Sequence, residues 1–291
     1  MLLQTIPDFD SVWDYSNPQK TEGRFCEILL QVPENDPAFL ELLTQIARAQ
    51  GLQRKFAKAH LTLDQVERRL GEADSREKTR YLLERGRVLN SSGKPDEARP
   101  YFEQALDSAT NLLDDNYAVD ALHMLAILAT PASSLDLNLR AIALAESSGQ
   151  EKARGWLASL YNNAGWSYHD LGEYACALEM FTKAESVRRS NGSVTEIRIA
   201  RWCVARALRS LNRVKEALTI QRELKCEIES AGESDGYVFE EIGECLLALN
   251  RAKESRAYFA KAYEVLSQDI WLAEKEPERL ARLKQLGSTR R

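Results

Sequence analysis

The stretch Leu160–Glu185, LYNNAGWSYHDLGEYACALEMFTKAE, decides how the rest of the chain reads. In it, Gly165 is followed seven residues later by Gly172 and twelve later by Ala177, and then by Phe181 and Ala184. The stretch Leu82–Ser108, LLERGRVLNSSGKPDEARPYFEQALDS, has the same skeleton in Gly86, Gly93, Ala98, Phe102 and Ala105. Each reads as a first helix, a tight turn and a second helix. Working outward, the small residue of the first helix recurs as Ala47, Gly86, Ala126, Gly165, Ala205 and Gly243, at steps of 39, 40, 39, 40 and 38. A fixed period of this length marks tandem repeats of one helical hairpin.

The residue types have a packing reason. A Gly or Ala where two antiparallel helices cross lets their backbones approach, and larger side chains fill the space on either side. The expectation is that Gly165 faces Ala177. Four residues before each small residue stand Leu43, Leu82, Leu122, Tyr161, Arg201 and Phe239. The second helices carry Leu63, Phe102, Ile142, Phe181, Gln221 and Phe259 at their aromatic position. The fifth repeat is degenerate, with Arg201 and Gln221 where apolar residues belong. In the third, Thr130-Pro131-Ala132-Ser133-Ser134 joins the helices, Pro131 breaking the first and the serines expected to cap the second.

These motifs resemble the tetratricopeptide repeat, most closely at Tyr161, Gly165, Tyr168, Ala177, Phe181 and Ala184, and specifically its bacterial-type members with longer repeats. The resemblance implies an all-α, right-handed superhelical solenoid of six antiparallel helix pairs over residues 38–270. Residues 1–37 would form an N-terminal extension and capping helix, and residues 271–291 a C-terminal capping helix and basic tail. Phe25, Ile28 and Leu29 are expected to form the apolar face of the first cap, and Trp271, Leu280 and Leu283 that of the second. Glycines 149, 192 and 232, in polar turns between repeats, are expected to supply left-handed helix stops.

Bulk composition agrees with a packed helical chain: 291 residues, 44% hydrophobic and 29% charged. A net charge of -5 and a pI near 5.5 argue against a general nucleic-acid binder, which needs excess Lys and Arg. The five cysteines have no C-x-x-C spacing and read as small core residues in a reducing compartment rather than as disulfides or a zinc site. No signal peptide is evident, and the longest apolar run, Ala121–Ala129, is interrupted by His123, so a cytoplasmic protein with no membrane partner is expected.

In the family the first helices line a concave groove, and its register places Arg87, Asn90, His123, Asn162, Asn163, Trp166, His169, Trp202, Arg206, Arg209, Glu240 and Glu244 there. The resemblance therefore implies a protein or an extended peptide as partner. Trp and Arg dominate interface energetics, which makes the fourth and fifth repeats the expected hot spot. Asn162 and Asn163 would bond a peptide backbone, Trp166 and Trp202 would hold an apolar or planar group, and Arg206 and Arg209 would meet a carboxylate. The same residues have a plainer reading. Arg206 and Arg209 would then only pair with glutamates of the sixth repeat, at 240, 241 and 244, and the histidines would be polar neighbours of aromatics.

The Lys and Asn pattern by which chaperone-binding members of the family hold a carboxylate is absent from any three consecutive repeats. Catalytic motifs are absent as well. Gly86 to Lys94 mimics a phosphate loop, but its gap is six residues and Pro95 follows Lys94, so it reads as an inter-helix turn. The cluster of His169, Asp170 and Cys203 is all that recommends an enzyme. No cofactor or metal site is expected, and the function expected is non-catalytic binding in the groove. The alternative is a ligand- or peptide-responsive regulator acting through a partner protein.

Overall fold

The computed structural model describes residues 9–288, with the side chain of Asp10 excepted. Among the described residues there is no strand. A short 3-10 helix, Phe9–Val12, leads into α1 (Pro18–Leu29). Three helix pairs follow: α2 (Pro37–Leu52) with α3 (Phe56–Glu67), α4 (Arg76–Ser91) with α5 (Pro95–Asn111), and α6 (Asp115–Ile127) with α7 (Pro131–Ser147). A single turn, α8 (Glu151–Arg154), separates them from three more: α9 (Leu157–Asp170) with α10 (Tyr174–Asn191), α11 (Val194–Ser210) with α12 (Val214–Ser230), and α13 (Gly236–Ala248) with α14 (Ala252–Leu266). Two helices close the chain, α15 (Ile270–Lys275) and α16 (Pro277–Gly287). The helices form two compact units that divide between Leu157 and Ala158.

Within a pair, the turn is set by a residue in the left-handed region seven places after the small residue. It is Gly93 (φ 86°) and Gly172 (φ 79°) in two pairs, and Arg54 (60°), Asn212 (61°) and Asn250 (61°) in three others. The next amide closes the helix end on the carbonyl five residues back, as in Lys94 N–H to Leu89 and Glu173 N–H to Tyr168, at 3.0 and 2.9 Å. This explains why Gly86 to Lys94 looks like a phosphate loop: Gly93 is the stop of α4. Of the inter-repeat glycines, only Gly232 (φ 73°) is left-handed; Gly192 has φ near -89°, and α7 ends with Ser148 extended instead. In the third pair Pro131 opens α7 at its first turn and Thr130 is the N-cap, so the serines lie inside the helix and make no cap bond.

The residue that faces Gly165 is Phe181 rather than Ala177. A Cβ built on Gly165 would lie 2.5 Å from the Phe181 ring; at Gly86 it would lie 2.5 Å from Phe102, and at Gly243 2.9 Å from Phe259. All three phenylalanines are fully buried, so each Gly makes room for a ring instead of a second small residue. Ala177 is fully buried in the same cluster as Phe181.

In the first unit α1 buries Phe25 fully against Phe9, Leu42 and Ile46, with Ile28 and Leu29 partly buried against the same cluster. In the second, α16 covers α14 with Leu280 and Leu283, but Trp271 is 59% exposed and Leu272 takes its place in the core. The cysteines divide: Cys203 and Cys245 are buried, Cys176 is half-buried, and Cys26 and Cys226 are exposed.

Candidate functional site

In the second unit the first helices α9, α11 and α13 each contribute one aromatic residue to a ladder. The rings of Trp166 and Trp202 are 6.1 Å apart, and Trp202 meets Tyr237 edge-on at 6.4 Å. Phe181 supports Trp166 from α10 at 5.1 Å, and the indole N–H of Trp202 donates to the carbonyl of Tyr237 at 3.3 Å. The rings are thus held by packing and by one directional bond, which limits their rotamer freedom before any ligand arrives.

Beside the ladder lies a cavity of about 480 Å³ lined by Trp166, Trp202 and interlocked ion pairs. Arg209 grips Glu241 bidentately, Nε to Oε2 at 2.7 Å and Nη2 to Oε1 at 2.8 Å. Arg206 lies 3.3 Å from the same carboxylate and donates to Ser210 Oγ at 2.7 Å. Glu240 and Glu244 face the opposite way, Glu240 accepting from Arg279 at 2.6 Å and Glu244 from Arg282. The arginines therefore pair with Glu241, while Glu240 and Glu244 are taken by α16. The side chain of Glu241 is 6% exposed, so this is a partly buried network and not the solvent-exposed kind that contributes little. Arg279 pulls in the opposite direction on two counts: burial acts to lower its pKa, but Glu240 and Glu276 outweigh that and raise it.

Sequence reasoning missed Arg279 and Arg282 because α16 was read only as an apolar cap. The signal was in the numbering: they stand 39 and 38 residues after Glu240 and Glu244, one repeat period on. Six of the twelve expected groove residues, Trp166, Trp202, Arg206, Arg209, Glu240 and Glu244, line this cavity. Asn162, Asn163 and His169 lie on α9 outside its lining. Asn162 Oδ1 accepts a 3.4 Å bond from Cys203 Sγ, the Asn163 carbonyl accepts one from Ser167 Oγ at 3.1 Å, and His169 Nε2 is 2.9 Å from Ser210 Oγ. The His169 ring also packs on Trp166 and Tyr174, at 5.4 and 5.0 Å. Burial first, and then Arg206, lower its pKa. Cys203 is buried, which pushes its thiol up to about 12, so the thiolate that a nucleophile needs is absent at neutral pH.

The remaining three, Arg87, Asn90 and His123, belong to the first unit. There a cavity of about 280 Å³ is lined by Trp13, Tyr15, Trp156 and the charged groups of Arg48, Glu84 and Arg87. Arg87 donates to Glu84 at 2.6 Å and to Asp120, a contact that outweighs desolvation and raises its pKa. His123 packs on Trp156 at 5.5 Å, and burial lowers its pKa. Asn90 is half-buried. Trp13, which sequence spacing placed only in the N-terminal extension, donates its indole N–H to Gln45 at 2.9 Å, with the Arg48 guanidinium 5.6 Å from its ring. Among the described residues no cluster of His, Cys, Asp or Glu could hold a metal ion, and no helix is long and apolar enough to cross a membrane.

The chain carries tetratricopeptide repeats. Family models described as Tetratricopeptide repeat match residues 158–191 and 80–116, which are α9 with α10 and α4 with α5. No curated protein matches the chain by sequence. Among solved structures, the apo form of RapI is similar at 15% identity and a TM-score of 0.74, over 96% of this chain and 79% of that one. A signal-transduction ATPase with a tetratricopeptide repeat sensor, from Pyrococcus horikoshii, is similar at 14% identity and a TM-score of 0.70, over 93% of this chain and 42% of that one. NprR, solved in complex with its cognate peptide NprX, is similar at 13% identity and a TM-score of 0.54, over 97% and 81%. At these identities the likeness establishes the fold, that of tetratricopeptide-type helical solenoids.

Proposed function

We propose that this chain is a non-catalytic scaffold that binds a protein or an extended peptide along the first-helix face of its second unit. The observation that carries the reading is the ladder of Trp166, Trp202 and Tyr237, one aromatic per repeat, beside an ion-lined cavity of about 480 Å³. Rigid aromatics with a fixed hydrogen-bond pattern are the groups that dominate binding energy when buried by a partner. The likeness to NprR, a fold that holds a peptide in that protein, supports a peptide as the partner. In this reading Arg206 and Arg209 order Glu241, and a ligand carboxylate has to compete with Glu241 for them. Neither nucleic acid nor a cofactor has a part in it, and the chain works in the cytoplasm.

A second reading, a ligand-responsive regulator acting through a partner protein, is favoured by one observation. Gln221 is fully buried between α11 and α12, and neither atom of its amide has a hydrogen-bond partner. A pair carrying that penalty, and carrying Trp202, is one that a ligand can rearrange at low cost.

The test is selection of peptides from a displayed random library on the intact chain, followed by capture with variants. Trp166→Ala combined with Trp202→Ala is expected to lose the selected peptides at least tenfold, with the far-ultraviolet circular dichroism unchanged. Capture that persists in this variant overturns the assignment of the face.

A further inference from the structure

Trp202 is common to two cavities. Besides the ion-lined one, it forms a wall of a second, also about 480 Å³, enclosed by Ile199, Leu224, Ile228, Tyr237 and Val238 from α11, α12 and α13. This volume lies in the range of about 300–1,000 Å³ typical of ligand cavities with mostly apolar walls. The floor, Leu224, Ile228 and Val238, is buried core, whereas Ile199 and Tyr237 at the mouth are 55% and 38% exposed. The wall is preformed, since the bond from Trp202 Nε1 to the Tyr237 carbonyl ties α11 to α13.

Apart from Arg198 Nε, which is buried without a hydrogen-bond partner, the charged groups at the rim are matched inside the chain. Arg198 donates to Glu233 at 2.7 Å and to the Glu227 carbonyl at 3.3 Å. Asp235 accepts from the amides of Tyr237 and Val238 at 2.8 and 3.2 Å, capping α13. An ionic ligand group would have to compete with these arrangements, while an uncharged apolar group can rest on Ile199, Leu224, Ile228 and Val238. The exposed apolar mouth gains from being covered.

We propose that this cavity is an anchor pocket for one bulky uncharged side chain, aromatic or branched aliphatic, of the peptide that lies along the ladder. The inference rests on the scaffold reading and adds the chemistry of its partner. A chain on the ladder reaches the pocket over Trp202 without leaving the second unit. Apart from Trp202, the family register does not point here, because the pocket is built from the ends of α11 and α13 and from α12, a second helix.

The test uses the full chain and four probes: N-acetyl-phenylalaninamide, N-acetyl-leucinamide, N-acetyl-lysinamide and N-acetyl-aspartamide. Binding is read by saturation-transfer magnetic resonance. The phenylalanine and leucine amides are expected to show transfer, and the lysine and aspartate amides none. Ile199→Glu, at an exposed position, is expected to abolish the transfer, and Thr195→Trp, which fills the pocket from its rim, to do the same. Trp271→Ala, at an exposed position on α15 outside both cavities, is expected to leave it intact. Absent transfer from the apolar amides, equal transfer from all four, or loss in Trp271→Ala but not in Ile199→Glu would overturn the pocket. Selected peptides captured by wild type and Ile199→Glu alike also overturn it, while leaving the scaffold reading standing; loss of capture confined to the tryptophan pair tests that reading separately.

Discussion

Gly165 and Phe181 meet so closely that the glycine could not carry a Cβ without displacing the ring, 2.5 Å away. The two are sixteen residues apart, and the same offset joins Gly86 to Phe102 and Gly243 to Phe259. Where the small residue is Ala, the partner at that offset is smaller than Phe: Leu63 for Ala47, Ile142 for Ala126 and Gln221 for Ala205. One methyl gained on the first helix is matched by a ring lost on the second, which conserves volume at each crossing.

Gly165→Ala is therefore expected to destabilise the second unit by about 1–3 kcal/mol through overpacking, and Gly165→Leu by more. Combining Gly165→Ala with Phe181→Leu, which copies the pairing of Ala47 with Leu63, should recover part of the loss. A urea-unfolding series checks this, and an unchanged midpoint in Gly165→Leu would contradict the crossing.

Gln221 occupies the ring position of the fifth pair with an unpartnered amide in the core. Gln221→Leu keeps the volume and removes two unsatisfied polar atoms, so a gain of about 1–3 kcal/mol is expected. A thermal melt of the variant is the check; a lower melting temperature would mean that the amide has a role that its surroundings do not reveal.

The repeat was legible because backbone proximity leaves its mark on residue size at a fixed period. What faces what was harder to read. Ala177 and Phe181 lie one turn apart on α10, and only the reach of the ring decides which of them fills the space over Gly165. Glu240, Glu241 and Glu244 share α13, and the rotation of that helix about its axis, which spacing does not report, aims Glu241 at Arg209 and the other two at α16. A left-handed stop does not require glycine: Arg54, Asn212 and Asn250 serve as well as Gly93 and Gly172.

Acid should weaken the fold in two windows. His60, His123 and His169 all have pKa values below the usual 6.5, with burial as the first cause; Arg85 adds to it at His60 and Arg206 at His169. His60 Nδ1 lies 2.9 Å from Arg85 Nη1 and must accept that bond, because a guanidinium only donates. As pH falls through about 6.5 the unfolded chain takes up protons first, so stability drops until the lower folded values are passed. Glu22 opposes its burial with bonds from Lys58, Gln53 and Gln50, which bring its pKa to about 2. Its contribution is present above about 4.5 and is lost as pH falls towards 2. Urea midpoints measured from neutral to acid pH check both windows, and a midpoint that rises between pH of about 7 and 5.5 contradicts the first.

Removing Arg209 leaves a nearly buried Glu241 with Arg206 alone. Arg209→Ala is expected to cost about 1–3 kcal/mol, and Arg209→Ala with Glu241→Gln less than Arg209→Ala by itself. A double-mutant cycle by chemical unfolding gives the coupling; strict additivity would mean the pair is a solvated contact.

The binding face can be read directly because the five tryptophans are spread over the chain. Trp166 and Trp202 lie on the ladder, Trp13 and Trp156 on the first unit, and Trp271 on α15, exposed. The measurement is a titration of the indole-labelled chain with a selected peptide, followed by nuclear magnetic resonance of the five indole N–H signals. The account predicts that the signals of Trp166 and Trp202 shift together and saturate, while that of Trp271 stays in place. A titration that shifts Trp271, or that leaves Trp166 and Trp202 where they were while the peptide binds, would contradict it.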